Sequence, residues 1–187
     1  MKQDYEIREM KEEEFLYFDK HKKSVFGEVQ SYSLNDLLNN AEQEKIKTLG
    51  QGTSTPYTSL GAFDKDKQFV GWSWGQQENS STFYIVNSAI LPDHRRNGLY
   101  GALIGRCIDV VSAKGYQLIY SRHCVTNNAV IITKLKAGFT ISKMEISDRY
   151  GVLIQLDFYT NETRRRINDY RAGQLKPDSD IKRLFSI

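Results

Sequence analysis

Two arginines and a glycine lie where a helix is predicted to begin, and these residue types suit the binding of a phosphate. They belong to the stretch ILPDHRRNG, residues 90–98, which a helical pattern follows. The first turn of a helix leaves about four backbone N–H groups unpaired, and the aligned peptide dipoles add positive potential there. Gly98 has no Cβ, so an anion can approach the backbone, and Arg95 and Arg96 add forked donors. The stretch therefore predicts a pyrophosphate-binding turn.

Two other phosphate-binding loops are excluded by their spacing. The chain has no GxxxxGK[ST] stretch and no GxGxxG turn after its first strand. Taken alone, the arginine pair fits a solvated surface loop equally well. The elements around it and a second motif are needed to choose between the two interpretations.

The spacing of apolar residues predicts the element order β-αα-βββ-α-β-α-ββ. The predicted strands are 5–10, 57–63, 68–74, 81–90, 117–124, 140–147 and 152–160, with helices at 11–26, 33–50, 98–114 and 127–137. Ser33 is the predicted N-cap of the second helix, and polar residues 76–80 predict a turn. Strand 81–90, the helix after it and strand 117–124 form a βαβ unit, so these two strands are predicted to be parallel and the rest of the sheet antiparallel.

Length and composition indicate one globular α/β domain. We expect the domain at residues 1–160 and a basic tail at 161–187, helical at first and irregular around Pro177. The chain has 187 residues, 40% of them hydrophobic, and a net charge of +3. No run of 18 apolar residues occurs, and the charged first residues do not form a signal peptide, so we expect a cytoplasmic protein without a membrane partner.

Neither a metal site nor a nucleic-acid interface is predicted. The two cysteines, Cys107 and Cys124, lack CxxC spacing and are expected to be buried reduced thiols. The run Arg164-Arg165-Arg166 is expected to be a solvated helix face, with an anionic partner as the alternative. The chain shows no aromatic-basic strand signature of an RNA-binding sheet.

A second motif resolves the meaning of the first. Asn127 lies one strand further on, and Gly138-Phe139 stands eleven residues beyond it. With residues 90–98, this arrangement resembles the GNAT superfamily of acyl-CoA-dependent N-acetyltransferases. That family's signature is Val-x-Pro, then Arg/Gln-x-x-Gly-x-Gly/Ala opening a helix, and later an asparagine followed by Gly-Phe. The element order fits the family from about residue 3 to 158.

The resemblance implies a mixed, mostly antiparallel seven-stranded sheet with helices on both faces, and a central parallel pair splayed to admit acetyl-CoA. It implies that pyrophosphate is held by backbone amides, with Arg95 nearby; the amides are those of Arg96, Asn97, Gly98, Leu99, Tyr100 and Gly101. The pantetheine arm is expected to pair with the backbone of Ala89, Ile90 and Leu91, and the amide of Ile90 or Leu91 to face the thioester oxygen. Asn127 is expected to bind the pantetheine or to lie next to it.

The chain departs from the family signature at two positions. Tyr100 replaces the final Gly/Ala, so its ring must point away from the phosphates or the loop must shift, and Gly101 is a second point of close approach. Lys134 stands seven residues after Asn127, where many members carry a tyrosine thought to protonate the leaving thiolate. Lys134 is therefore a candidate acid, and contact with a phosphate or with solvent is the alternative.

No residue is singled out as the general base. The strand at 81–90 contains no carboxylate; Tyr84 falls where one branch of the family has a glutamate. His123 on the neighbouring strand titrates in the right range, and Glu28 between the first two helices is a further candidate. Packing or structural roles are the alternatives for all three. Trp72 and Trp74 are either a half-buried aromatic face or a wall of the acceptor pocket.

These observations predict an N-acetyltransferase that moves an acetyl group from acetyl-CoA directly to a primary amine, with a small molecule as the expected acceptor. The alternative is a non-catalytic sensor that binds acyl-CoA, since the strand glutamate and the tyrosine are missing. Metal ions are not expected. A homodimer is compatible with the sequence.

Overall fold

The computed structural model describes residues 5–27, 36–50 and 55–187, and these contain seven strands and six α-helices. The strands are β1 (Glu6–Glu9), β2 (Tyr57–Phe63), β3 (Phe69–Asn79), β4 (Thr82–Ile90), β5 (Leu118–Cys124), β6 (Thr140–Ser147) and β7 (Gly151–Tyr159). The helices are α1 (Phe15–Phe26), α2 (Asn40–Gly50), α3 (Leu99–Ala113), α4 (Asn128–Lys136), α5 (Glu162–Arg171) and α6 (Ser179–Phe185). Short 3-10 turns lie at Glu12–Glu14 and Pro92–His94. The predicted N-cap Ser33 lies outside the described residues.

The strands form one sheet in the order β1-β2-β3-β4-β5-β7-β6. The β4–β5 pair is parallel and every other neighbouring pair is antiparallel, which confirms the predicted mixed sheet. A strand–helix–strand connection through α3 requires this parallel arrangement, because a crossover returns the chain to the same end of the sheet.

The parallel pair is short. Its register contains three pairs, and the last joins Tyr84 to Tyr120. Beyond it, β4 continues to Ile90 along β3, and β5 continues to Cys124 along β7. The register between β3 and β4 also shifts, so that Val86 has no partner in β3 and forms a bulge. The two central strands therefore separate after Tyr84 and Tyr120, as predicted for a splayed pair.

Helices cover both faces of the sheet. The residues Ala89 and Ile90 are successive on β4 and belong to different hydrophobic clusters, so the clusters lie on opposite faces. The larger cluster contains the buried side of α3 and Ile131 of α4. The smaller one contains Phe18 of α1, whose ring packs edge-on against Trp72 at a centroid distance of 5.3 Å.

The structure corrects two predicted boundaries. Strand β3 runs to Asn79, so residues 76–79 are not a turn; Gln76 and Gln77 pair with Tyr84 and Phe83. Two register shifts in the ladder interrupt the alternation that would have marked these residues as a strand. The tail is also more regular than predicted.

The last helix, α6, was not predicted. The side chain of Asp178 accepts hydrogen bonds from the amides of Asp180 and Ile181, which caps the helix, and Ile181 is 0% exposed. Arg166 forms an ion pair with Asp178, and Arg165 donates to the Gly138 carbonyl. The arginine run is therefore largely engaged within the protein. None of the helices in the described part of the chain is long and apolar enough to cross a membrane.

Candidate functional site

The turn before α3 has the backbone shape of an anion site. Gly98 has a φ of +84° and Arg96 a φ of +65°, and both values lie in the left-handed region. A residue with a side chain adopts this region at a cost of about 1–2 kcal/mol, so the turn keeps the Arg96 backbone in an unfavourable conformation. A Cβ added at Gly98 meets no atom within 4 Å, so the space above this backbone is open. The Ala102 amide donates to the Gly98 carbonyl at 3.1 Å, and the earlier amides of the turn lie ahead of this first helical bond.

The side chains of the turn fold back onto the protein. Arg95 Nε donates to the Ile90 carbonyl at 2.9 Å, and Asn97 Oδ1 accepts from the Leu99 amide at 3.2 Å. The Tyr100 ring points inward, where its hydroxyl lies 3.0 Å from Ser88 Oγ on β4, and burial raises the pKa of this phenol. The large residue at position 100 thus leaves the outside of the turn clear. Gly101 lies beside α4, since a Cβ added at Gly101 would be 3.7 Å from the Thr133 methyl carbon.

One edge of β4 is available beyond the parallel pair. Residues 85–90 form their ladder with β3, and no pair with β5 extends past Tyr84 within the described residues. The Leu91 amide points the other way, to the Val70 carbonyl at 2.8 Å. The backbone near Ala89 and Ile90 therefore borders the gap between β4 and β5.

Asn127 lies at the start of α4. It is exposed, and its backbone carbonyl accepts from the Ile131 amide at 3.1 Å, while its own amide donates to the Cys124 carbonyl at 2.9 Å. Its side chain makes no capping bond to α4. These bonds fix Asn127 immediately after β5 ends at Cys124.

A buried lysine reaches β5 where the two strands separate. Lys134 of α4 is 0% exposed, and its Nζ donates to Ser121 Oγ at 2.7 Å. Ser121 directly follows Tyr120, the last residue of β5 that pairs with β4. The ring of Phe139 lies 4.8 Å from Nζ, and no ion pair of the described residues includes this lysine. Within the described ranges, a hydroxyl and a ring face are therefore the contacts of this amine.

His123 completes this buried polar group. Its Nε2 lies 2.9 Å from Ser121 Oγ, so this hydroxyl is hydrogen-bonded to both Lys134 and the imidazole. Burial lowers the pKa of Lys134 to about 7, and the nearby Cys107 thiol opposes this shift. Burial and the neighbouring lysine lower the pKa of His123 to about 3. His123 is therefore neutral at neutral pH, whereas Lys134 exists there in both protonation states.

The opposite face of the split carries two stacked tyrosines. Tyr84 and Tyr120 stack at a centroid distance of 4.7 Å, and the guanidinium of Arg122 lies 4.9 Å from the Tyr84 ring centroid. The Tyr120 hydroxyl donates to Glu78 at 2.7 Å. Burial and this carboxylate both raise the pKa of Tyr120. Side chains alternate between the two faces along β5, so Ser121 lies on one face and Tyr120 and Arg122 on the other. Tyr84 stacks on Tyr120 and Lys134 bonds to Ser121, so Tyr84 and Lys134 lie on opposite faces of the sheet.

The remaining candidates either pack in the core or lie outside the described residues. Trp72 is 0% exposed and donates its indole N–H to Asn87 Oδ1 at 2.7 Å, so it belongs to the core. Trp74 is half-buried next to this cluster. Glu28 lies outside the described residues. Cys107 is buried and Cys124 half-buried, and both thiols are free; no group of three or more potential metal ligands occurs in ranges 5–27, 36–50 and 55–187.

Two residues of this region were not singled out from the sequence. Ser121 is a plain serine in an apolar strand, and only its place after the last β4–β5 pair makes it significant. Arg122 shares a face of β5 with Tyr120, as the two-residue period of a strand predicts. The burial of Lys134 had no sequence signal, since lysines are almost never fully buried.

Comparisons with known proteins agree with this geometry. The sequence profile described as "Acetyltransferase (GNAT) family" matches residues 6–139. Among solved structures, a spermidine N-acetyltransferase from Vibrio cholerae in complex with CoA and spermine superimposes with a TM-score of 0.60 at 15% identity, covering 83% of this chain and 95% of the other. The ribosomal-protein-S18-alanine N-acetyltransferase from Escherichia coli gives 0.60 at 17%, covering 83% and 94%.

A GNAT-family acetyltransferase from Streptococcus pneumoniae gives a TM-score of 0.62 at 19% identity, covering 83% of this chain and 99% of the other. A search of curated protein sequences finds no significant match. At these identities the structural matches establish the fold, and the match over residues 6–139 establishes the family. The chain therefore belongs to the acetyltransferase (GNAT) family, whose members are acyltransferases.

Proposed function

We propose that this protein transfers an acetyl group from acetyl-CoA to a primary amine of a small molecule, in one step within a ternary complex. The observation that carries the proposal is the separation of β4 and β5 beyond Tyr84 and Tyr120, next to the open turn before α3. A ligand with a diphosphate and an extended arm fits a turn of backbone donors that leads into a gap between strands.

The binding residues are proposed from the open backbone. The diphosphate would be held by the turn before α3 and its first helical residues, which are Arg96, Asn97, Gly98, Leu99, Tyr100 and Gly101, with Arg95 alongside. The arm would run along the β4 edge at Ala89, Ile90 and Leu91, and Asn127 would border it from the start of α4. Because the Leu91 amide is bonded to Val70, the Ile90 amide is the one proposed to face the thioester oxygen, and Arg95 would have to release the Ile90 carbonyl for the arm to pair there. The open space at Gly98 and the inward Tyr100 ring support this fit. When bound, acetyl-CoA supplies an activated thioester for attack by the amine.

Lys134 is the proposed proton donor. Acyl transfer to an amine forms a C–N bond, breaks the C–S bond and leaves a thiolate that takes up a proton. Lys134 Nζ lies beside the split on the side of α3 and α4, and its pKa of about 7 allows it to give up a proton near neutral pH. Ser121 fixes the position of Nζ, and His123 orients Ser121 through the hydrogen bond between Nε2 and Oγ.

The base is proposed to act from the other face. Tyr84 lies there at the last β4–β5 pair, where it can relay a proton from the amine through water. His123 was a second candidate base. Its low pKa favours a positioning role through Ser121 instead.

A sensor that binds acyl-CoA without turnover is the second candidate, because β4 contains no carboxylate to act as base. Release of free CoA with a broad panel of primary amines separates the two functions. Acetyl-CoA-dependent turnover on at least one amine is expected. Tight binding of acetyl-CoA with no turnover on any amine contradicts the transferase and supports the sensor. A cytoplasmic location, a homodimer and the lack of nucleic-acid and membrane partners stay predictions, as does the division into a domain at 1–160 and a tail at 161–187.

A further inference from the structure

We infer that the amine acceptor carries a carboxylate and that Arg122 binds it. The inference rests on the proposed transferase function and concerns the class of acceptor. Arg122 lies two residues beyond Tyr120, on the face opposite to Lys134. A side chain at this position borders the split between β4 and β5 on the face of Tyr84, where the amine is proposed to lose its proton.

The conformation of Arg122 directs its charge across that split. Its guanidinium carbon lies 4.9 Å from the ring centroid of Tyr84, so the side chain leans from β5 towards β4. Packing on an aromatic face holds a guanidinium in place while its edge stays open to a ligand. The Arg122 side chain is 38% exposed.

The local carboxylates do not satisfy Arg122. Glu145 accepts one hydrogen bond from its Nη1 at a long distance of 3.3 Å. Glu78 is engaged by the Tyr120 hydroxyl at 2.7 Å. A guanidinium offers five N–H donors, and a planar carboxylate can take two of them in parallel. Contacts with Glu145 and with the Tyr84 side chain use only part of these donors, which leaves capacity for a second carboxylate.

This guanidinium distinguishes acceptors by their carboxylate. The similar structure from Vibrio cholerae holds spermine, a molecule that has no carboxylate. Because Glu78 and Glu145 lie in the same group of side chains, Arg122 does not act by repelling polycations; it offers a pairing that only an acceptor with a carboxylate can use. An amino acid brings a reacting amine together with a neighbouring carboxylate, so it suits a cation beside the acetyl-transfer point.

The test compares matched acceptors. Amino acids and their C-terminal amides differ in the carboxylate and, through it, in the pKa of the amine, so kcat/KM is compared per neutral amine; spermidine represents polyamines. The wild-type protein is expected to acetylate the best acid with a kcat/KM about tenfold or more above that of its amide, the worth of a charge-assisted hydrogen bond. Arg122→Gln is expected to reduce this acid-to-amide ratio to near one. Glu145→Gln, which removes the competing carboxylate, is expected to raise the ratio.

Each outcome is decisive. A wild-type preference for amides or spermidine overturns the inference, as does an Arg122→Gln ratio equal to that of the wild type, while acetyl transfer itself stands. Turnover on no acceptor overturns the proposed function together with this inference. CoA affinity and thermal unfolding of both variants verify that the fold and the coenzyme site are intact.

Discussion

Lys134 Nζ donates a 2.7 Å hydrogen bond to Ser121 Oγ, and this bond joins α4 to β5 one residue beyond the last β4–β5 pair. The lysine is wholly buried without an ion pair from the described part of the chain. A buried cation of this kind costs stability, and such costs are concentrated at sites that perform chemistry. The bond therefore holds the proposed proton donor at the point where β4 and β5 separate.

Replacement of Lys134 by methionine is expected to stabilise the protein at pH 6 by about 1–4 kcal/mol, because a similar apolar chain removes the buried charge. The pKa of Lys134 is about 7 in the folded protein and 10.5 in its ordinary state. Between these values the unfolded chain holds more protons, so the wild-type free energy of unfolding rises with pH. The advantage of Lys134→Met is expected to shrink from pH 6 to pH 9.5, as measured by urea unfolding.

Lys136 provides the matched control for this substitution. It lies on the same helix with an exposed side chain, so Lys136→Met is expected to change stability by less than about 0.5 kcal/mol at either pH. An equal, pH-independent effect of the two variants would show that Lys134 is not buried as a titrating group.

The pH dependence of turnover is expected to follow the protonation of Lys134. At saturating substrates, kcat is expected to fall as pH rises through about 7, because the neutral amine has no proton to give. In Lys134→Tyr the falling limb is expected to move upward, towards the ordinary tyrosine pKa of about 10. Steady-state kcat measured from pH 5.5 to 10 locates the falling limb in each of the two proteins. Identical profiles for wild type and Lys134→Tyr would remove Lys134 from proton transfer.

Substitution of His123 by glutamine is expected to leave the shape of the pH profile unchanged between pH 5.5 and 9. The pKa of His123 is about 3, so the side chain does not titrate in that range. The rate itself is expected to fall, since Ser121 loses part of its orientation. Loss of a limb near pH 6 in His123→Gln would instead identify the histidine as a titrating base.

Truncation of Ile181 to alanine is expected to destabilise the protein by about 2–4 kcal/mol, because its side chain is completely buried in the tail. The exposed Leu184 on the same helix is the control, and Leu184→Ala is expected to change stability little. Thermal unfolding of the two variants makes the comparison. Equal melting temperatures would show that the tail does not unfold with the rest of the chain.

The sequence was most informative where local signals and fold agreed. Apolar spacing and Gly115 predicted the extent of α3, and the parallel β4–β5 pair followed from the crossover. The prediction ended β3 too early because Gln76 and its polar neighbours occupy a half-exposed, bulged ladder, where alternation is lost. Helix α6 was missed because its cap at Asp178 follows a proline and a single buried residue, Ile181, anchors it.

The turn before α3, the proposed coenzyme site, and the buried lysine differ in how predictable they were. The turn depends on backbone amides and Gly98, whose conformational requirement is visible in the sequence. Lys134 depends on Ser121 and Phe139, which only the packing of α4 on the sheet brings to it. The family resemblance singled out position 134, and the sequence gave no means to decide between proton transfer, a phosphate contact and solvent.

Calorimetric titration of CoA into Gly98→Glu and Gly115→Glu tests the central claim most directly. The two glycines stand at opposite ends of α3, have φ values of +84° and +96°, and have no neighbour within 4 Å of an added Cβ. The substitutions thus add the same charge and similar strain. Gly98→Glu is expected to weaken CoA binding by about 100-fold, the worth of one or two charge-assisted hydrogen bonds, and Gly115→Glu to leave it near the wild-type value. Equal CoA affinities in the two variants would contradict a diphosphate site at the start of α3.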